Sequence, residues 1–343
     1  MTSSRRNGVL AGGSWVLDRT KIIDFYPAQD SLATILEEGS SNGGGAYNLS
    51  VDLARLGAPF PLFAAGLLGD DAAGMEIRRD CHRYGIDTRQ LHITKDAPTS
   101  YTDVMTVQST GRRTFFHQRG ANGLLGPEHF DLSQSDARIF YLGYLLVLDR
   151  LDQPEPSFGT VAGSLFNRAR EAGLKTVLDL VSEDSDRFVK VIPPTLKFCD
   201  YCIVNDFEAE RTTGVRIIRD GQVDVDAARK AAHKLLGAGV REWAVIHFPA
   251  GAVAVDSTGQ ELVQSSIDIP QTRIAGSVGA GDAFAAGVIL GIHEGVEMEI
   301  GITYGVCAAA ACLLDPTSSN GIKPLSDCLK LGHEFGYRPE LKL

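Results

Sequence analysis

From residue 139 to residue 247 the sequence alternates short apolar runs with longer amphipathic ones, and this rhythm restricts the fold more than any other feature. Residues 139–142, 176–180, 201–204 and 243–247 are compact apolar runs of strand type, while Val161–Glu171 and 226–236 have helical spacing. Strand then helix, repeated, implies parallel strands covered by helices on both faces. The opening run Gly8-Val-Leu-Ala-Gly-Gly13 suits another buried strand that delivers the chain to a site at its carboxyl end, with Asp18 in the turn region after it. Residues 102–108 and 113–119 alternate around the turn signal Ser109-Thr-Gly-Arg112, and 21–39 is a polar stretch containing Pro27. These segments predict a small β-sheet inserted into a larger α/β unit. Residues 281–295, 300–314 and 325–335 read as closing helices. With no repeat, low-complexity tract or linker, a single domain over 1–343 is expected, carrying inserted segments at about 19–41 and 99–120.

Charge narrows the partners. A net charge of -10 argues against nucleic acid or an anionic membrane as a constitutive partner, since both need clustered Lys and Arg. No stretch approaches about 20 uncharged apolar residues, and residues 1–7 are polar, without the apolar core of a signal peptide. A cytoplasmic location is the expectation. The six cysteines, Cys81, Cys199, Cys202, Cys307, Cys312 and Cys328, are too sparse for a disulfide scaffold. Cys199-Asp-Tyr-Cys202 has no second pair to complete a metal site, so buried thiols are the reading.

Three constellations carry chemistry. Ile274-Ala-Gly-Ser-Val-Gly-Ala-Gly-Asp-Ala-Phe-Ala-Ala-Gly287 is a glycine-rich loop running into an apolar helix. Gly279, Ala280 and Gly281 leave backbone N–H groups open to phosphate oxygens, and the helix adds its positive dipole end. Asp282 has two explanations: a helix N-cap, worth about 1 kcal/mol, or a base that takes a proton from an attacking hydroxyl. Spacing alone does not choose. In Asn42-Gly-Gly-Gly-Ala-Tyr-Asn48, Gly43 and Gly44 are either loop flexibility or points where backbone approaches a polyhydroxylated ligand, with Asn48 offering both donor and acceptor. Asn205-Asp-Phe-Glu208 puts two oxygen-bearing side chains one turn apart, where they either form a capping box or orient a hydrated Mg²⁺.

Taken in order, these motifs resemble the ribokinase (PfkB) family of carbohydrate and nucleoside kinases, from about Gly8 to Leu331. Gly43-Gly44 through Asn48, Gly57 and Gly66-Leu-Leu-Gly-Asp-Asp71 is similar to the amino-terminal signature, Gly279-Ala-Gly-Asp282 to the carboxy-terminal one, and Asn205-Asp-Phe-Glu208 to the magnesium motif. The resemblance implies a ribokinase-like three-layer sandwich, with a mainly parallel central sheet flanked by helices and a small β-sheet lid. It implies ATP-dependent phosphorylation of a hydroxyl on a sugar or sugar derivative. In that scheme Asp282 is the base and Gly279, Ala280 and Gly281 form the anion hole. Asn205 and Glu208 organise Mg²⁺ through water, and Asp18, Gly43, Gly44 and Asn48 hold substrate hydroxyls. The inserted sheet closes as a lid that excludes water, and a homodimer through that lid would cover its edges.

Arg119 lies where sugar kinases of this family touch substrate; facing the site, it would suit a carboxylate or phosphate on the acceptor, whereas facing water it would leave a neutral sugar or polyol. Tyr101 and Tyr144 are weaker pocket candidates.

The chain also departs from the family pattern. Gly276-Ser277-Val278 replaces the usual Asp-Thr-x, removing an acid that helps bind a monovalent cation, so weak or absent K⁺ dependence is expected. Val245-Ile-His-Phe-Pro-Ala-Gly251 stands in the place of the nucleotide loop, with Phe248 for its first glycine; His247 and Gly251 are the nucleotide-side candidates there. Asp179 is retained without its usual Asn partner, and the Pro316-Thr-Ser-Ser-Asn-Gly321 loop, with Asn320, borders the expected base site. The alternatives are a nucleoside kinase of adenosine type and a catalytically silent sugar-binding homologue. A dehydrogenase reading of Gly276, Gly279 and Gly281 fails, because these glycines do not open a βαβ unit.

Overall fold

The computed structural model describes residues 6–341; the rest of the polar 1–7 start lies outside the described residues. Its centre is a nine-stranded sheet in the order Asp87–Thr94, Leu62–Gly69, Val9–Gly13, Ile139–Leu145, Lys175–Leu180, Tyr201–Asn205, Trp243–Phe248, Gly251–Asp256, Glu261–Ser265. The first seven run parallel, and the last two add as an antiparallel meander. The alternating side chains of a strand explain the three layers. Val9, Val177, Ile203 and Val245 enter one apolar core, while Leu10, Leu178, Cys202 and Ile246 enter a second on the opposite face.

The first core is closed by the helices Gly45–Leu56, Ala280–Glu294 and Met298–Leu313. The last two pack closely because glycines face each other: a Cβ on Gly287 would lie 2.6 Å from the Gly305 nitrogen. Helix Val161–Glu171 has the predicted bounds, capped by the Thr160 hydroxyl accepting from the Gly163 N–H. All six cysteines are buried free thiols, as read from their apolar neighbours. Among the described residues no helix is long and apolar enough to cross a membrane.

A separate four-stranded sheet has the order Ile35–Gly43, Val16–Ile23, Tyr101–Val107, Arg113–Gln118. Asp18 sits inside a strand here and not in a turn, because Val16–Ile23 pairs on both sides, Asp18 with Ser41 and with Thr102. This sheet exposes Ile35, Phe115 and Phe116, and the 24–34 connection between two of its strands exposes Phe25 and Leu32. At the end of the free edge strand Glu261–Ser265 the chain meets the segment 336–341. There Arg338 N–H donates to the Ser266 carbonyl and Ser265 Oγ to the Pro339 carbonyl, beside a bridge between Ile267 and Tyr337.

Candidate active site

The parallel strands bring their carboxyl ends to one rim, which carries Gly13, Tyr144, Asp179, Asn205 and His247. The start of helix Ala280–Glu294 lies at the same rim. Gly279 precedes it in the left-handed region at φ 78°, and a Cβ there would stand 2.2 Å from the Ser318 carbonyl oxygen. The chain therefore turns tightly into a helix whose first N–H groups lack helical acceptors. Asp282 is the third residue of this helix and does not cap it. Its carboxylate is buried and accepts two hydrogen bonds, at Oδ2 from Asn48 Nδ2 at 2.9 Å and at Oδ1 from the Tyr144 hydroxyl. Burial pushes the Asp282 carboxyl up to about 6, while the Tyr144 and Asn48 hydrogen bonds pull it down.

The Gly45–Leu56 helix delivers Asn48, whose Oδ1 is buried and has no partner among the described residues. Gly43 is demanded by its neighbour: a Cβ there would fall 2.1 Å from Asp18 Oδ2. Gly44 has φ 93° and lies against the Ser14 carbonyl, and the Gly45 N–H donates to Ser14 Oγ at 3.0 Å. Burial drives Asp18 up to about 7, against a Thr102 hydrogen bond and helped by the Asp282 charge. Asp18, Gly43, Gly44, Asn48 and Asp282 thus belong to one constellation.

A second group of acids adjoins it. Asp179 accepts from the Tyr141 hydroxyl at 2.8 Å and is held well above the carboxylate range by burial and by the charges of Glu208 and Asp282. Asn205 and Glu208 form a reciprocal capping box: the Glu208 N–H donates to Asn205 Oδ1 at 2.9 Å and the Asn205 N–H to Glu208 Oε2 at 3.0 Å. Ser182 Oγ also donates to Glu208 Oε1 at 2.9 Å. Burial lifts Glu208 to about 7, with Asp282 adding to the shift. Among the described residues no three His, Cys, Asp or Glu side chains converge as direct metal ligands.

His247 pairs in register with Asn205 and packs on Phe284 with ring centroids 4.9 Å apart. Its Cε1 would stand 3.1 Å from a Cβ on Gly281, and burial lowers its pKa to about 4, so the ring is neutral. Gly251, Asn320 and Arg119 each have local partners. Gly251 is explained by strand packing, since a Cβ would meet the Gln264 carbonyl at 2.1 Å. Asn320 Oδ1 accepts from Arg55 at 2.7 Å, at the far end of the Gly45–Leu56 helix. Arg119 is partly exposed, and its guanidinium donates to the Leu146 carbonyl and pairs with Asp149 and Glu183, each at 3.3 Å. Gly276 is pressed on Pro316, whose Cα would lie 3.1 Å from an added Cβ. The residue underweighted from sequence is Tyr144; its signal was a place three residues after Tyr141, where the strand of 139–142 runs out.

Known proteins share this architecture. The profile described as pfkB family carbohydrate kinase matches residues 15–334. A ribokinase of Arabidopsis thaliana is 27% identical over 277 residues, covering 79% of this chain and 66% of the relative. An ATP-dependent ribose-1-phosphate kinase of Halopiger xanaduensis is 27% identical over 304 residues, covering 88% of this chain and 90% of the relative. The structure of Arabidopsis thaliana ribokinase complexed with ribose and ATP superposes with a TM-score of 0.74 at 22% identity, over 95% of this chain and 98% of that one. With a family match across nearly the whole length and the same sandwich of sheet and helices, the chain belongs to the pfkB family of carbohydrate kinases, phosphotransferases that act on an alcohol acceptor.

Proposed function

We propose that this protein transfers the γ-phosphoryl group of ATP to a hydroxyl of a neutral sugar or polyol. The observation that carries the reading is Asp282, a buried carboxylate at the start of a glycine-led helix that accepts from the Asn48 amide nitrogen, while the amide oxygen of Asn48 lacks a partner among the described residues. A substrate hydroxyl can donate to Asn48 Oδ1, and a second can bond Asp18, as a polyhydroxylated acceptor would. The reacting hydroxyl then passes its proton to Asp282 as its oxygen bonds to the γ-phosphorus, while the bond to the bridging oxygen breaks and ADP leaves. The amides around Gly279, Ala280 and Gly281 stabilise the charge that gathers on the transferring group.

Asn205 and Glu208 fit Mg²⁺ only through water, because their polar atoms already bond each other and Ser182. When bound, the ion would neutralise phosphate charge. His247 lines the nucleotide side from beneath Gly281. A neutral acceptor follows from Arg119, whose charge is already matched by Asp149 and Glu183. The face of Tyr101 is covered by Arg19 at 4.0 Å and is not open to stack a nucleoside base. The four-stranded sheet serves as the lid, and its exposed Phe115, Phe116 and Ile35 favour a second copy of the chain as its cover. Gly276 supplies no acid for K⁺, and a side chain there would press on Pro316.

ATP consumption across sugars, sugar acids, polyols and nucleosides, with and without K⁺, tests the proposal. Turnover is expected with a neutral sugar or polyol and little change on adding K⁺. No turnover with any acceptor would favour the catalytically silent homologue.

A further inference from the structure

Each oxygen of the Asp282 carboxylate accepts a hydrogen bond in this structure: Asn48 Nδ2 donates to Oδ2, and the Tyr144 hydroxyl donates to Oδ1. Nothing about an acceptor-activating base requires a tyrosine on it. A base that awaits a substrate hydroxyl needs an open lone pair, and here a protein hydroxyl fills one. The placement is built by several elements. The Tyr144 N–H donates to Ser14 Oγ at 3.3 Å, the same oxygen that receives the Gly45 N–H. The ring lies against the start of the Gly45–Leu56 helix, where a Cβ on Gly45 would come within 2.8 Å of Tyr144 Cε1. Gly45 thus makes room for the ring. Burial and the Asp282 charge hold the phenol well above its usual range, so it stays a donor.

We infer that the Tyr144 hydroxyl occupies the acceptor's seat on Asp282 when no sugar is bound, and that it thereby suppresses hydrolysis of ATP. This rests on Asp282 being the base. A sugar can displace the phenol, because its further hydroxyls gain bonds to Asn48 Oδ1 and Asp18 that offset the loss. Water brings one oxygen and no such anchors. In the suppressed reaction, water's oxygen would bond to the γ-phosphorus, its proton would pass to Asp282, and the bond to the ADP oxygen would break. Tyr144 is therefore a positioning residue that separates polyhydroxylated acceptors from water.

The test measures ADP release from Mg-ATP alone, without acceptor, for the intact protein, Tyr144→Phe and Asp282→Asn. Removing a hydrogen bond to a carboxylate opens the seat, so Tyr144→Phe is expected to raise hydrolysis roughly tenfold. Adding Asp282→Asn to Tyr144→Phe should abolish the gain. A merely structural role would lower activity and would not create it. Hydrolysis in Tyr144→Phe at or below that of the intact protein overturns the inference. If Asp282→Asn retains transfer to sugar, it is the base assignment that fails; if that variant is inactive while Tyr144→Phe shows no gain, only the role of Tyr144 fails. Should a lowered melting temperature show that Tyr144→Phe does not fold, Gly45→Ala replaces it. That variant keeps the hydroxyl but pushes the ring aside, and the same rise is expected; absence of a rise overturns the inference.

Discussion

Asp282 belongs to a residue type that often caps helices, yet its side chain turns away from the helix backbone toward Asn48 and Tyr144. Under the proposed role, Asp282→Asn should leave sugar and ATP binding intact by calorimetry and lower kcat by roughly 10²–10⁴-fold, the usual contribution of a general base. The base must be ionised to work. With its carboxyl pushed up to about 6, kcat/KM should fall as pH drops through 6 and level off above it, as a pH–rate profile would read. How much of this was legible in the sequence depends on distance along the chain. Gly279, Ala280, Gly281 and Asp282 are contiguous, and their chemistry is readable from order alone. The link from Asn48 to Asp282 spans 234 positions, so only the fold reveals which Asn48 atom is left over. The role of Tyr144 was hidden for the same reason.

Among elements, the helix Ala280–Glu294 matters most, and its geometry rests on one turn. Gly279→Ala combines a left-handed backbone with a Cβ 2.2 Å from the Ser318 oxygen. The variant is expected to lose about 1–3 kcal/mol of stability and to lower kcat more than it raises the KM for acceptor, checked by denaturant unfolding together with steady-state kinetics. The parallel strands at 9–13, 139–145, 175–180, 201–205 and 243–248 were readable because central buried strands are apolar, whereas the edge strand Asp87–Thr94 is largely polar and was not. Val16–Ile23 was not, since it is polar and owes its state to partners at 35–43 and 101–107. Gly251 and Asn320 are a different case. Their positions match a nucleotide site by order, but close strand packing and Arg55 account for them locally.

For the molecule as a whole, the rim concentrates acids that burial keeps partly protonated. Asp18 and Glu208 are lifted to about 7 and Asp282 to about 6, above the ordinary carboxylate value near 4. A carboxyl that binds its proton more tightly when folded stabilises the fold below pH 4, and that contribution is lost as pH rises through 6 to 7. The melting temperature without ligand should therefore fall between pH 5 and pH 8. Mg²⁺ with ATP should recover more of it at pH 8 than at pH 5, and scanning calorimetry at the two values would show either outcome. The strand Glu261–Ser265 has a different vulnerability. The segment 336–341 pairs at and just past its end, through Arg338, Pro339 and the Ile267–Tyr337 bridge. Trimming those few residues would free the Ser266 carbonyl and the Asp268 amide and lengthen an edge that is already unpaired. Removal would leave the catalytic rim untouched and still turn a well-behaved enzyme into one that self-associates, strand on strand, in the tube.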